Sequence, residues 1–413
     1  MRRQIILHIG TEKTGSTTLQ AFGNLNRKLL MSQGILYPQS PGRTNHLGLS
    51  IYASTGATLR DLRQISGLAG EVDFLRFQSE FPELLRAEIE DSGCERVWLS
   101  NEHLSSRVRR PAEIARVSDL LKPLASEVRI VAYLRKQTEL LVSAYSTSVR
   151  SGATKDITIP RSERDYFYNF SLLLDRWSAL WGAKSLVVRL FDRGQLKGGD
   201  IVADFLDVLG CSPTEAFNMP NGLNKSLDAH ALQFLLLFNR HVTRLDGSGL
   251  NPDYGQIASV LESLSNGPRF VPPASIMRMV EDMFEASNRD VARRYFGMRS
   301  VNLFSPGRYA DPDSDQPLSL EKARVMGAAA TKVLDDQINR MEARLSLTGK
   351  SLNLSGLGDT RRLAQCESVE LAVADTARLW RERKQRLKAL RAELASQGAA
   401  PATVAQDRFC IPP

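Results

Sequence analysis

Cysteine, histidine and long apolar runs are what this 413-residue chain has least of. Its four cysteines, Cys94, Cys211, Cys366 and Cys410, lie far apart and form no CxxC pair. That spacing argues against a zinc ribbon and against a disulfide framework. The five histidines are equally scattered, with no HExxH. A metal held by protein side chains is therefore not expected. No stretch approaches the roughly 20 apolar residues of a membrane helix. The opening MRRQIILHIG is basic and then apolar. Its apolar run is shorter than a secretory core, and no small-residue cleavage site follows. It reads as a buried strand, and the chain as a cytoplasmic protein.

What is present is ordinary bulk and a positive surplus. Hydrophobic residues make up 42% and charged residues 24%, as in globular proteins that bury a core. The length suits one large domain or two ordinary ones. The net charge of +8 favours an anionic ligand or partner.

The first half alternates strand-like with helix-like segments. Ile5 to Ile9 is an apolar run ended by Gly10. Leu19, Phe22, Leu25 and Leu29 then recur at helical spacing, with Gly34 as a stop. Val97-Trp98-Leu99, Val128 to Leu134 and Ser185 to Phe191 are further strands, and Glu139 to Val149 is a helix between the last two. This alternation predicts an α/β fold of three layers, with a central, mostly parallel β-sheet flanked by helices. From about residue 225 the pattern becomes almost wholly helical. Gly247 to Pro268 reads as a surface excursion, and Asp311 to Gln316 as a polar linker. The chain thus divides into a domain over residues 1–310 and a helical C-terminal extension over 311–413. The last long helix, Leu371 to Leu394, carries Arg378, Arg381, Arg383, Lys384, Arg386, Lys388 and Arg391 against Asp375, Glu382 and Glu393. Trp380, Leu387, Leu390 and Leu394 share one face, which predicts docking on the core. Its basic face also leaves peripheral membrane contact or a second chain open.

The densest signal is His8 to Gln20, HIGTEKTGSTTLQ. Gly10 and Gly15 have the separation of a phosphate loop of the form G-x-x-x-x-G-K-[ST]. Ser16 stands at the lysine position, and the loop's lysine is Lys13, ahead of the second glycine. A strand leads in and an amphipathic helix leads out. Amides at that helix start would cradle an anion, aided by the helix dipole. Ser16, Thr17 and Thr18 add hydroxyls. A lysine placed early in the loop lies beside the first phosphate, not the terminal one of a triphosphate. A nucleotide carrying one phosphate and a transferable group suits it.

The K-T-G-S-T-T run, Lys13 to Thr18, resembles the phosphosulfate loop of P-loop sulfotransferases, which use 3′-phosphoadenylyl sulfate (PAPS). Leu25 to Pro38, LNRKLLMSQGILYP, is similar to bacterial members of that family. The resemblance implies that Lys13 stabilises charge on the bridging oxygen as the sulfuryl group leaves. It also implies that the 3′-phosphate is bound by an arginine at a strand end and a serine eight residues on. VAYLRKQTELLVSAY supplies these as Arg135 and Ser143. An arginine fork suits a phosphate. The cofactor set is then Lys13, Thr14, Gly15, Ser16, Thr17, Thr18, Arg135 and Ser143.

The family places a glutamate or histidine base just after a strand between the two nucleotide motifs. Here Val97 to Ser100 leads into Asn101, Glu102 and His103. Strand alternation would turn one of Glu102 and His103 toward the cofactor, and Glu102 is the favoured base because carbohydrate-acting members commonly use glutamate. Late segments, Ser287-Asn288 and Val291 to Gly297, also resemble bacterial members and offer Arg293 and Arg294 to phosphates. The small-molecule branch's R-K-G-x-x-G loop is missing, which leaves the third phosphate contact unassigned. The resemblance implies metal-independent, in-line transfer of a sulfuryl group from PAPS to a hydroxyl of a carbohydrate or glycolipid, with no nucleic-acid partner. Two other classes compete: a P-loop kinase or NTPase, and a non-catalytic binder of anionic polymers. The segments about 38–73 and 152–168, with Arg43, His46 and Arg161, should shape the acceptor pocket. Neither the acceptor's identity nor the oligomeric state is readable.

Overall fold

The computed structural model describes residues 3–55, 59–220, 226–246, 249–251, 254, 256–298, 303–310, 317–346 and 359–396. The expected linker 311–316 and Cys410 lie outside them. In chain order the elements are β1 (Gln4–Gly10), α1 (Ser16–Leu25), α2 (Arg27–Ser32), β2 (Ile35–Leu36), α3 (Leu47–Ala53), α4 (Arg60–Ile65), α5 (Glu71–Asp91), β3 (Arg96–Ser100), α6 (His103–Ser106), α7 (Pro111–Leu121), β4 (Glu127–Leu134), α8 (Gln137–Arg150), α9 (Phe170–Trp181), β5 (Leu186–Leu190), α10 (Ile201–Leu209), α11 (Ala229–Asn239), β6 (Leu245–Asp246), β7 (Gly249–Leu250), α12 (Ile257–Leu264), α13 (Ala274–Phe296), α14 (Leu320–Ser346) and α15 (Val369–Ser396).

Strands β1 to β5 form one parallel sheet in the order β2-β3-β1-β4-β5. The fold is α/β with helices on both faces. β1 is the middle strand, which explains its unbroken apolar run: Ile5, Ile6, Leu7 and Ile9 are all fully buried. Ile5, Leu7 and Ile9 join the core beneath α3, α5, α7, α9 and α13. Ile6, Trp98 and Tyr133 join the opposite core, with Phe22 of α1 and Phe205 of α10. The chain leaves β1 toward β2 and β3 on one side and later crosses to β4 on the other. The carboxyl end of β1 is therefore a topological switch point, where open α/β sheets leave a crevice.

A third core joins Tyr145 and Val149 of α8 to α11, α12, α14 and α15. Trp380, Leu387, Leu390 and Leu394 are buried in it, so the basic helix docks as its apolar face predicts. α15 runs alongside α14 in the same direction: Arg383 binds Asp335 through two bonds of 2.7 and 3.1 Å, and further along Arg386 meets Glu342 at 3.0 Å. Part of its positive charge is thus spent inside the chain. Close approach at the start of this pair requires Gly327, where a Cβ would lie 2.2 Å from Thr376 Oγ1.

Three expectations change. The first helix does not run on to Leu29. It breaks at Asn26, whose side chain donates to the carbonyls of Phe22 and Asn218, and Leu25 is left half exposed. The segment read as a surface excursion contains α12, whose Ile257 and Leu261 are fully buried. The helical half also contains the small antiparallel pair β6–β7.

Candidate active site

The loop after β1 is held from below. Thr11 donates to the Tyr133 carbonyl through both its amide, 3.0 Å, and its hydroxyl, 2.9 Å. Thr14 is fully buried and gives its hydroxyl to the Thr11 carbonyl at 2.6 Å. Its hydroxyl is turned to the loop's own backbone, and Thr14 is not among the residues that line the cavity described below. Gly10 and Gly15 take positive φ, 105° and 80°, where a side chain is strained. At Gly10 a Cβ would also meet Glu102 Cα and Cβ at 3.1 Å; at Gly15 it would meet Phe191 at 3.2 Å. Gly15 caps α1, and the first turn of α1 has neither a side-chain cap nor an acid. Its amides and its positive dipole end stay available to an anion.

A cavity of about 890 Å³ opens here, lined by Lys13, Gly15, Ser16, Thr17 and Thr18, and by Arg135 and Ser143 from the end of β4 and from α8. The two motifs, 122 residues apart from Lys13 to Arg135, thus share one wall. Arg135 donates through Nη1 to the Lys13 carbonyl at 3.0 Å and through Nε to Glu139 at 3.1 Å. Its guanidinium stands 5.5 Å from the Phe191 ring centre. Arg150, Arg193 and Arg269 bring the cations of the lining to five, with Glu139 as its one acid, and Arg150 pairs with Glu262 outside it. These three arginines were not named from sequence. Arg193 could have been, since it follows β5 at the same carboxyl end of the sheet. Arg269 sits in an irregular stretch before α13 and carried no signal. The late arginines behave differently: Arg294 pairs with Asp175 and Asp290, and Arg293 with Asp290. Neither lines the cavity.

Lys13 is largely buried, and burial lowers its pKa against the opposing pull of Glu12 and Glu102. Glu102 is fully buried beneath Gly10. Its Oε2 accepts from Gln20 at 2.6 Å and its Oε1 from Asn45 at 3.2 Å. His103 opens α6 and places Nδ1 3.5 Å from Glu12 Oε1. Burial lowers its pKa, but Glu12 and Glu102 outweigh burial and raise it overall. Burial would raise Glu12, yet His103, Ser106 and Lys13 hold it at about 2. Strand alternation does not decide between Glu102 and His103, because β3 ends at Ser100 and both lie at a helix start. Glu12 was passed over in the sequence although it sits inside the loop.

His46 is fully buried, between the Ser100 amide at 3.0 Å and the Pro38 carbonyl at 2.9 Å. It supports β3 and does not face an acceptor. His8 is likewise buried, 2.8 Å from Ser100 Oγ. Burial lowers both imidazoles to about 3, so they are neutral.

No family model matches the chain. It is 26% identical over 183 residues to an uncharacterized protein of Archaeoglobus fulgidus, covering 43% of this chain. The chain spans about half the length of that relative, 48%. Among solved structures it is similar to a sulfotransferase from Alicyclobacillus acidocaldarius, at 17% identity and a TM-score of 0.34, over 54% of this chain and 87% of that one. Among the described residues no helix is long and apolar enough to cross a membrane.

Proposed function

We propose that this chain is a sulfotransferase that takes the sulfuryl group of PAPS to a hydroxyl of a carbohydrate or glycolipid acceptor. One observation carries the reading: the displaced-lysine loop and the Arg135–Ser143 pair line one cavity, joined by the bond from Arg135 to the Lys13 carbonyl. A volume of about 890 Å³ suits a nucleotide. The surplus of cations suits one with phosphates at both ends.

Bound PAPS would supply an activated sulfuryl group on a 5′-phosphate. The α1 amides, Ser16, Thr17 and Thr18 would hold that phosphate, and Arg135 and Ser143 the 3′-phosphate. Arg193 or Arg269 fills the place of the unassigned third contact. Lys13 would neutralise charge on the leaving oxygen, which is preorganised electrostatics at the reacting end. Glu102, held by Gln20 and Asn45 and acting electrostatically on Lys13, would accept the acceptor's proton. His103 is committed to Glu12 and is the weaker candidate.

Calorimetry with PAP, the 3′,5′-bisphosphate product, beside ATP with and without magnesium tests this. Micromolar PAP binding that needs no metal supports the reading. Binding of magnesium-ATP without PAP binding would make this a kinase-like protein. Binding of neither, with salt-sensitive attachment to polyanions, would make it a non-catalytic binder.

A further inference from the structure

Glu102 has the proposed role of a base but no open face. It is 0% exposed, and it is not among the residues that line the nucleotide cavity. Each carboxylate oxygen accepts from one side-chain amide: Oε2 from Gln20 at 2.6 Å and Oε1 from Asn45 at 3.2 Å. A general base must bring an oxygen within about 2.6–3.2 Å of the group whose proton it takes. The Asn45 amide already holds such a place on Oε1.

The two amides are not equivalent. Gln20 is buried one turn beyond Ser16 on α1, and the same nitrogen lies 3.4 Å from Ser100 Oγ. It is a fixed seat for the carboxylate. Asn45 is only half-buried, in the connection 37–46 between β2 and α3. Its bond to Glu102 is at the long end of the N–H···O range. The main chain on both sides of it is pinned. Tyr37 Oη donates to the Thr44 carbonyl at 2.6 Å. His46 gives its amide to the Ser100 carbonyl at 3.1 Å, and its Nδ1 accepts the Ser100 amide at 3.0 Å. Asn45 can therefore leave Glu102 by turning its side chain alone. Its closed position is defined from behind: Asn45 Oδ1 accepts from Asn101, and Asn101 Oδ1 accepts from Ser50 of α3.

We propose that Asn45 is a displaceable cover on the base, which keeps water off Glu102 until an acceptor hydroxyl takes its place. The inference rests on the sulfotransferase reading. An amide N–H and a hydroxyl are both donors to a carboxylate, so the acceptor exchanges one bond on Oε1 for another. The cover protects the sulfuryl donor. With Oε1 open, water is the smallest acceptor. Its oxygen bonds to the sulfur and its proton passes to Glu102. The sulfur–oxygen bond to the 5′-phosphate breaks, and its electron pair stays on the phosphate oxygen beside Lys13. Sulfate and PAP result, and the activated group is lost to hydrolysis. Closed sites exclude water from reactive groups for this reason. Asn45 acts through Glu102 and is a positioning residue.

The test follows release of PAP and sulfate from PAPS with no acceptor present. Asn45→Ala should hydrolyse PAPS about three- to tenfold faster than wild type, the size of one net hydrogen bond. Its PAP affinity by calorimetry should stay at the wild-type value. Asn45→Ser, a milder truncation, should show the same rise if the alanine variant does not fold. Adding Glu102→Gln to either variant should bring the rate back to wild type or below. Gln20→Ala should be slower than wild type, because it loses the seat of the base and not the cover. Hydrolysis no faster than wild type in the truncated variants, a rise that survives Glu102→Gln, or an equal rise in Gln20→Ala overturns the proposal. Failure of wild type to bind PAP would instead remove the sulfotransferase reading. The cover is then read without nucleotide, by carbodiimide coupling of glycine ethyl ester to Glu102 mapped by mass spectrometry. Coupling should be several-fold faster in Asn45→Ala than in wild type, and equal coupling overturns the proposal.

Discussion

Arg135 reaches back from the end of β4 and donates to the main-chain carbonyl of Lys13, 3.0 Å away. On the proposed reading one side chain serves both a phosphate position and the shape of the loop. Arg135→Ala should weaken PAP binding by about 10–100-fold, the loss of a charge-assisted contact of about 1.5–3 kcal/mol. It should also lower turnover, because the loop loses its tether. Arg135→Lys should recover little, since a point charge cannot serve two acceptors as a fork does. Calorimetry and single-turnover rates separate the two effects. Full PAP affinity in Arg135→Ala would dismiss the assignment.

Lys13 takes φ of 65°, which costs a non-glycine residue roughly 1–2 kcal/mol. Lys13→Gly should relax the backbone, keep PAP affinity within a few-fold and reduce turnover by about 10²–10³ if the lysine acts on developing charge. A higher melting temperature together with lost turnover is the expected signature. Unchanged turnover would refute the role.

The base is decided by comparing Glu102→Gln with His103→Gln. Glu102→Gln should cost about 10²–10⁴ in turnover with PAP binding intact, and His103→Gln far less. The pH profile gives a second readout. His103 has a pKa raised above 6.5. A histidine base would make the rate climb as pH rises through that higher value, and His103→Gln would abolish the climb. A glutamate base leaves the profile of His103→Gln unchanged in that range.

The Glu12–His103 pair should show in stability against pH. Glu12 is depressed from 4.5 to about 2, so its contribution is present above 4.5 and lost as pH falls toward 2. His103 is raised, so its contribution is complete below 6.5 and lost as pH rises through its folded value. The pair counts in full between 4.5 and 6.5. Glu12→Gln should flatten the melting curve against pH below 4.5 and bring His103 down in an NMR titration. An unchanged acid limb would show that the pair contributes nothing.

Much of this was legible because strands and loops write locally. The buried run Ile5 to Ile9, the Gly10–Gly15 spacing and the strand before Arg135 each fix backbone geometry from neighbouring residues alone. What stayed hidden is non-local. Arg150, Arg193 and Arg269 reach the cavity through packing that periodicity does not encode. Glu12 was overlooked because its partners, His103 and Ser106, are some 90 residues away. Asn26 ends α1 by bonding a carbonyl 192 residues distant. α12 was masked by the glycine, asparagine and proline around it, although its own eight residues are apolar on one side.

α11 gives the last consequence. Leu232 lines the cavity, while Phe238 on the same helix stands 5.9 Å from Trp380 of α15. One wall of the cavity and the seat of the C-terminal helices thus share a single helix. If occupation of the cavity shifts α11, linkage requires that tighter docking of the C-terminal helices tighten binding by the same factor. Trp380, packed on Phe238 of that helix, is placed to report such a shift. A change in its emission on addition of PAP, absent in Arg135→Ala, would turn the C-terminal helices from an appendage into a readout of the site.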